Sequence, residues 1–114
     1  MDDCIFCKMS QKKIPSRIAY EDSSLFAFYD VHPQAPIHIL ITPKKHIARI
    51  YDLHPPEGLV LSEMIFLANQ LAKENKIDKN GYRLVINCNP EGGQTVYHIH
   101  LHLLGGRDMK WPPG

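Results

Sequence analysis

The sequence predicts an α+β fold, a five-stranded, mostly antiparallel sheet carrying one short and one long helix. Three observations lead there. Residues 97–104 read Tyr, His, Ile, His, Leu, His, Leu, Leu, and a period of two marks a strand with one polar and one apolar face. Between Leu53 and Lys76, the residues Val60, Met64, Leu67, Ala68 and Leu71 recur at helical spacing and give one long helix an apolar stripe to lay on a sheet. The remaining alternating runs, separated by turn signals, complete the order short helix, hairpin, strand, long helix and two strands. At 114 residues the chain is expected to form a single domain over 1–114 with one core.

Charge and composition narrow the function classes. Thirteen Lys and Arg residues are balanced by twelve Asp and Glu residues, without the basic excess that a nucleic-acid polymer demands. No apolar run is long enough to span a membrane, and Met-Asp-Asp-Cys lacks the basic and apolar start of a leader, so a cytoplasmic location with no membrane partner is expected. Three cysteines, an odd number, argue against a disulfide framework. Cys4 and Cys7 instead form a Cys-x-x-Cys pair suited to redox or metal work in a reducing compartment, and Cys88 reads as a small buried residue.

In chain order, Ile5, Phe6 and Met9 define a short helix over residues 4–12 that ends before Pro15. Residues 18–21 and 25–30 form a hairpin around Asp22-Ser23-Ser24, and Asp30 closes its second strand. Pro33 and Pro36 punctuate a loop, after which residues 37–42 resume as a strand with Ile37, Ile39 and Ile41 on one side and His38 on the other. The long helix should start at Leu53 with Asp52 as its cap and Pro55 and Pro56 in its first turn. Asp78-Lys79-Asn80-Gly81 is a turn into a fourth strand over residues 82–87, ending at Asn87. Residues 89–95, Asn-Pro-Glu-Gly-Gly-Gln-Thr, lead directly into the histidine strand. Glycines let backbone N–H groups approach an anion, and the Thr95 hydroxyl adds a donor.

Three imidazoles on one strand face could bind metal or perform nucleophilic and acid–base chemistry. At about 3.3 Å per residue His98 and His102 stand roughly 13 Å apart, too far for one tetrahedral ion to take all three. Imidazole also serves as a nucleophile near neutral pH, and the central ring, His100, is the natural one. His46, with Cys4, Cys7 and His98, would complete a Cys2His2 set of the composition used by structural zinc.

The run His98-Ile99-His100-Leu101-His102-Leu103-Leu104 fills every position of the histidine-triad (HIT) signature. Cys4-Ile5-Phe6-Cys7, Phe28-Tyr29-Asp30, Ala35 to His46, Asn87, Gly92-Gly93-Gln94-Thr95 and Trp111-Pro112-Pro113-Gly114 extend the likeness over almost the whole chain. It resembles the HINT branch, the nucleoside phosphoramidases. That resemblance implies a purine nucleotide site in which Ile5, Phe6 and Ile14 wall the base, Phe28 contacts the nucleotide and Asp30 accepts from the ribose hydroxyls. It further implies that Asn87, Gly93 and Thr95 lie near sugar and phosphate, with His100 and His102 at the phosphorus. His100 would be the nucleophile, His102 and His98 its support, and His38 would hold a triad ring in one tautomer. The resemblance also implies structural zinc on Cys4, Cys7, His46 and His98, with no cofactor for the chemistry, and a homodimer in which the two sheets join and the Trp111 tail docks near the partner's site. The expected ligands are purine nucleoside monophosphates and their phosphoramidates.

Three alternatives stand beside this reading. Dinucleoside polyphosphate hydrolysis uses the same histidines, but Gly105-Gly106 and the Trp111 tail match the HINT branch better. Uridylyltransferases place glutamine where this chain has His102. A zinc-stapled nucleotide-sensing or interaction module would keep the fold without turnover.

Overall fold

The computed structural model describes residues 3–114. The chain runs α1 (Ile5–Ser10), β1 (Ile18–Glu21), β2 (Leu25–Tyr29), β3 (Ile37–Pro43), α2 (Gly58–Glu74), β4 (Tyr82–Val85) and β5 (Leu101–Gly105), with short 3-10 turns at Ile50–Asp52, Pro55–Glu57 and Pro90–Gly92. The five strands lie in the order β1-β2-β3-β5-β4, every neighbouring pair antiparallel. The predicted architecture is therefore present, and β3 is its central strand.

Local chemistry explains most of the elements. The β1–β2 hairpin turns on Asp22, whose carboxylate accepts the backbone N–H groups of Ser24 and Leu25, both at 2.7 Å. Helix α1 begins at Cys4, which takes the role of an N-cap: its Sγ accepts the Cys7 N–H at 3.4 Å. The helix stops at Ser10, ahead of Pro15 as the sequence indicated but short of the expected residues 11 and 12.

Alternation sorts the sheet's two faces. Ile39, Ile41, Ile99, Leu101 and Leu103 join Met64, Leu67, Ala68, Leu71 and Ala72 of α2 in the larger core. On the other face Phe26, Phe28 and Leu40 pack with Cys4, Phe6, Cys7 and Met9 of the α1 segment. The histidines share that second face, opposite the long helix, as expected. No helix among the described residues is long and apolar enough to cross a membrane.

Beyond shifts of one or two residues, as where β2 ends at Tyr29 and α2 at Glu74, three boundaries differ from the sequence reading. Helix α2 starts at Gly58, not Leu53, because Pro55 and Pro56 make a separate 3-10 turn whose entry is fastened by Glu57 accepting the His54 N–H at 3.1 Å. Asp52 is consequently no cap; it pairs with the Arg49 guanidinium at 2.7 Å. β4 ends at Val85, leaving Ile86 and Asn87 outside the ladder. β5 begins only at Leu101: its last partner on β3 is Ile41, the ladder runs out at Pro43, which has no N–H to give, and the Ile99 N–H bonds the Ile47 carbonyl instead, at 2.7 Å. His98 and His100 thus precede the strand proper while keeping its alternation. Cys88, expected buried, is half-buried.

Gly105 gives a test of this packing. A Cβ there would collide with Ile77 Cδ1 and stand 3.1 Å from Ile77 Cβ, in a side chain that is itself buried. Gly105→Ala should therefore cost about 1–3 kcal/mol by overpacking. Ile77→Val, which removes Cδ1, should recover part of that loss, so that urea denaturation finds the double variant less destabilised than the sum of the two single changes.

Candidate functional site

The placement of protons decides what each histidine can do, and each placement follows from a fixed partner. His98 Nε2 lies 2.7 Å from the Pro43 carbonyl oxygen, which can only accept, so Nε2 carries the hydrogen and Nδ1 keeps a lone pair. That lone pair faces Cys4 Sγ at 3.3 Å and Cys7 Sγ at 3.5 Å. His100 is the reverse case: its Nδ1 lies 2.7 Å from the His98 carbonyl oxygen and must donate to it, leaving Nε2 with the lone pair.

A second relay runs through His38. The Gln34 backbone N–H donates to His38 Nδ1 at 3.0 Å, so the neutral ring carries its hydrogen on Nε2. His38 Nε2 then donates to His102 Nδ1 at 2.9 Å, and His102 is left with a hydrogen on its own Nε2. The rings of His100 and His102 sit with centroids 5.0 Å apart. One therefore offers a lone pair and its neighbour an N–H.

Burial keeps all four rings neutral near pH 7. It is the main cause in each case, pushing His98 and His102 down to about 4 and lowering His38 and His100 as well. Neighbouring imidazoles add to the shift at His102, whereas Asp30 partly restores His38, whose Nε2 is 3.5 Å from Asp30 Oδ2. Asp30, His38 and His102 have the composition of a two-histidine, one-carboxylate metal site and bring their ligand atoms within 4.8 Å of one another. The relay excludes that use while His38 is neutral, since its Nε2 has no lone pair to give.

Cys4, Cys7, His46 and His98 are another matter. Their ligand atoms also lie within 4.8 Å of one another. Zinc bonds of about 2.3 Å to sulfur and 2.05 Å to nitrogen in a tetrahedron put sulfur and nitrogen about 3.5 Å apart, and the sulfur–nitrogen distances here are 3.3 Å for Cys4–His98 and 3.5 Å for Cys7–His46 and Cys7–His98. The His98 tautomer already presents a bare nitrogen. Burial and the Cys4 hydrogen bond push the Cys7 thiol up, so a bound cation would have to displace that proton; it is the composition and spacing of the donor set that fit one.

Beside the histidines lies a cleft of about 460 Å³. Of the residues expected at a nucleotide, Ile5, Phe6, Ile14, Phe28, Asp30, Thr95, His100 and His102 all line it. Asn87 and Gly93 do not; they lie together on the loop that ends at Thr95, a Cβ on Gly93 falling 3.7 Å from Asn87 Nδ2. Asp30 is oriented by the His32 N–H, which donates to Oδ1 at 2.8 Å. The sequence reading assigned no cleft role to Met9, Arg17, Leu40 or Val96. Leu40 and Val96 could have been found, since each stands two positions from a predicted site residue on an alternating segment, and Met9 too, since it follows Ile5 and Phe6 at helical spacing on α1; Arg17 enters through the course of the chain after Ile14, which periodicity does not reveal.

Gln94, to which no role was given, fastens the loop. Buried, it accepts the Asn89 N–H at 3.0 Å and donates to the carbonyls of Ala48 at 2.8 Å and Val96 at 3.1 Å. Trp111 is 83% exposed and does not pack on its own chain.

Comparison with known proteins places these features in context. The HIT domain family profile matches residues 11–109. A crystal structure of a HIT family hydrolase from Legionella pneumophila Philadelphia 1 superposes with a TM-score of 0.96 at 52% identity, covering 98% of this chain and 100% of that one. An uncharacterized HIT-like protein of Synechococcus elongatus is 46% identical over 99% of this chain and 98% of its own length. The 14 kDa zinc-binding protein of Brassica juncea is 44% identical over 98% of this chain and the whole of that protein.

The proton arrangement predicts how stability responds to acid. The His102 imidazole, at about 4 in the folded chain against the ordinary 6.5, binds fewer protons folded than unfolded between those values. Stability should then rise with pH through that window and fall on acidification. His102→Gln, which cannot titrate, should flatten the slope by up to about one proton, as measured by urea denaturation at a series of pH values across the window; an unchanged slope would remove His102 from the account.

Proposed function

The chain belongs to the HIT domain family, and from that premise we propose that it is a purine nucleoside 5′-phosphoramidate hydrolase acting through a nucleotidyl-histidine on His100. One observation carries the reading: the 2.7 Å bond from His100 Nδ1–H to the His98 carbonyl, which leaves an unprotonated Nε2 on the wall of the cleft.

In the proposed first step the Nε2 lone pair attacks the α-phosphorus, a phosphorus–nitrogen bond to His100 forms, and the bond to the amine breaks as the amine takes a proton from solvent. Water then attacks the same phosphorus and gives up a proton to solvent, replacing the one the amine took. The His100 bond breaks, nucleoside monophosphate leaves, and the ring is returned neutral with its Nδ1–H undisturbed. His102, holding its hydrogen on Nε2, donates to a phosphate oxygen, where charge builds in both steps. The Thr95 hydroxyl adds a second donor. Ile5, Phe6, Ile14 and Phe28 supply apolar faces for a purine, and Asp30 an acceptor for the vicinal ribose hydroxyls.

Cys4, Cys7, His46 and His98 would hold zinc, which when bound ties the amino-terminal segment to the sheet. Their geometry fits the ion, and a relative 44% identical is named a zinc-binding protein. The cysteines of the described residues are free thiols, a chemistry suited to the cytoplasm. The homodimer is supported by Leu59 and Phe66, exposed at 73% and 70% on the outer face of α2, and by the edge position of β4. Trp111 would then reach the partner rather than its own chain.

Adenosine 5′-phosphoramidate and diadenosine triphosphate, supplied separately with AMP release followed, test the activity. Turnover of the amide in preference to the triphosphate is expected; preference for the triphosphate would move the chain to dinucleoside polyphosphate hydrolysis, and AMP binding without cleavage of either would favour a sensing module. His100→Ala should abolish the covalent adduct seen by intact-mass spectrometry while AMP still binds, and an adduct that persists would refute the assignment. Phe66→Glu should shift the protein from dimer to monomer in size-exclusion chromatography with light scattering; a wild type already monomeric would reject the assembly.

A further inference from the structure

The metal-ligand cluster and the nucleophile are joined by one residue. His98 turns its Nδ1 to the thiols, anchors Nε2–H on Pro43, and uses its own carbonyl oxygen to accept Nδ1–H from His100. Whatever fixes the His98 ring fixes the backbone that selects the His100 tautomer.

A second connection runs through Phe6. It stands between the two cysteines, and its ring meets His98 edge-on at 5.9 Å, His100 at 5.1 Å and Phe28 at 5.3 Å between centroids. Ile5 and Phe6 both line the cleft. The α1 segment that carries Cys4 and Cys7 is therefore also a wall of the cleft and a backstop for the His100 ring.

We propose that Cys4, Cys7 and His46 are positioning residues for the nucleophile, acting through a metal ion shared with His98 to hold the carbonyl and the phenyl ring that set the His100 imidazole. The nucleotide part of this inference rests on the function proposed above. In the metal-free cluster the thiols offer only weak S–H donors to His98 and His46, and the His98 ring is firmly held at one end alone. A bound ion replaces those contacts with bonds of about 2.3 Å to sulfur and 2.05 Å to nitrogen, and partners that orient a functional histidine at one remove commonly matter 10- to 100-fold, here taken at about tenfold. A staple placed elsewhere on α1 would stabilise the chain without reaching His100.

The test compares zinc-loaded wild type, chelator-stripped wild type, His46→Ala and His46→Cys. Zinc content is measured by mass spectrometry, AMP affinity by calorimetry, and the His100 ring by 15N NMR of its two nitrogens. Stripping zinc is expected to weaken AMP binding about tenfold and to turn a single Nδ1–H form of His100 into a mixture, with only a minor part of the effect following from lowered stability. His46→Ala, which removes a half-buried ring touching only Cys7 and His98 among the cluster residues, should reproduce both changes and serves as the comparison should the stripped wild type unfold; His46→Cys with zinc should reverse them. A zinc-free protein whose His100 signals and AMP affinity match the loaded form, with only a lower Tm, would overturn the proposal. Because the His100 signals need no nucleotide, they decide it even if AMP binds to no form, a result that would overturn the nucleotide reading instead.

Discussion

The commitment of one nitrogen of each histidine to a fixed backbone or ring partner is the constraint on which the site depends. A neutral imidazole has one N–H and one lone pair, so fixing either fixes the other. The Pro43 carbonyl settles His98, the His98 carbonyl settles His100, and the Gln34 N–H settles His38 and through it His102. Burial then holds the rings neutral, with the result that these assignments are not blurred by protonation. Two of the anchors belong to β3, which opens beside His38 and ends at Pro43. The central strand therefore organises the chemistry as well as the sheet.

Much of this was legible in the sequence because it is carried by periodicity. The alternation of residues 97–104 correctly assigned Ile99, Leu101 and Leu103 to the helix side and the histidines to the other, and the alternation of residues 37–42 set His38 on the histidine face. What periodicity could not show is where pairing stops. The missing N–H of Pro43 ends the ladder three residues after His98, and that decision lies on β3, more than fifty residues away in sequence. The start of α2 was misplaced for a related reason: the stripe of Val60, Met64 and Leu67 is unambiguous, but Pro55 and Pro56 satisfy a first turn of either an α- or a 3-10 helix, and the His54–Glu57 contact selects the latter.

The loop from Asn89 to Thr95 marks a different limit. Its glycines suggested an anion cradle, and Gly93, at φ +88°, does occupy the left-handed region, but so does Asn89, at φ +65°. What holds that loop is polar and long-range: Gln94 reaches Ala48, and Arg49 reaches Asn89 Oδ1 at 3.3 Å. Neither contact leaves a local pattern in the sequence. Gln94 was visible only as part of a run matching the HINT branch, and its buried amide explains why that position needs both a donor and an acceptor on one side chain.

A row of three like side chains on one strand invites a single shared role, yet the geometry divides it. Alternate positions on an extended chain are about 6.6 Å apart, close enough for neighbouring rings to meet and too far for the end rings to share a ligand. His98 sits against the cysteines, deep under Phe6; His100 and His102 face the cleft, with ring centroids 5.0 Å apart. The division coincides with the ladder boundary. His102 is paired on both sides by β3 and β4, and is set by the sheet. His98 and His100 lie beyond the last pairing, and for them the Pro43 carbonyl, the Phe6 ring and the thiol cluster do the work the ladder does for His102. His100, the proposed nucleophile, occupies the stretch where the ladder no longer fixes the backbone, and its Nδ1–H is set instead by the His98 carbonyl.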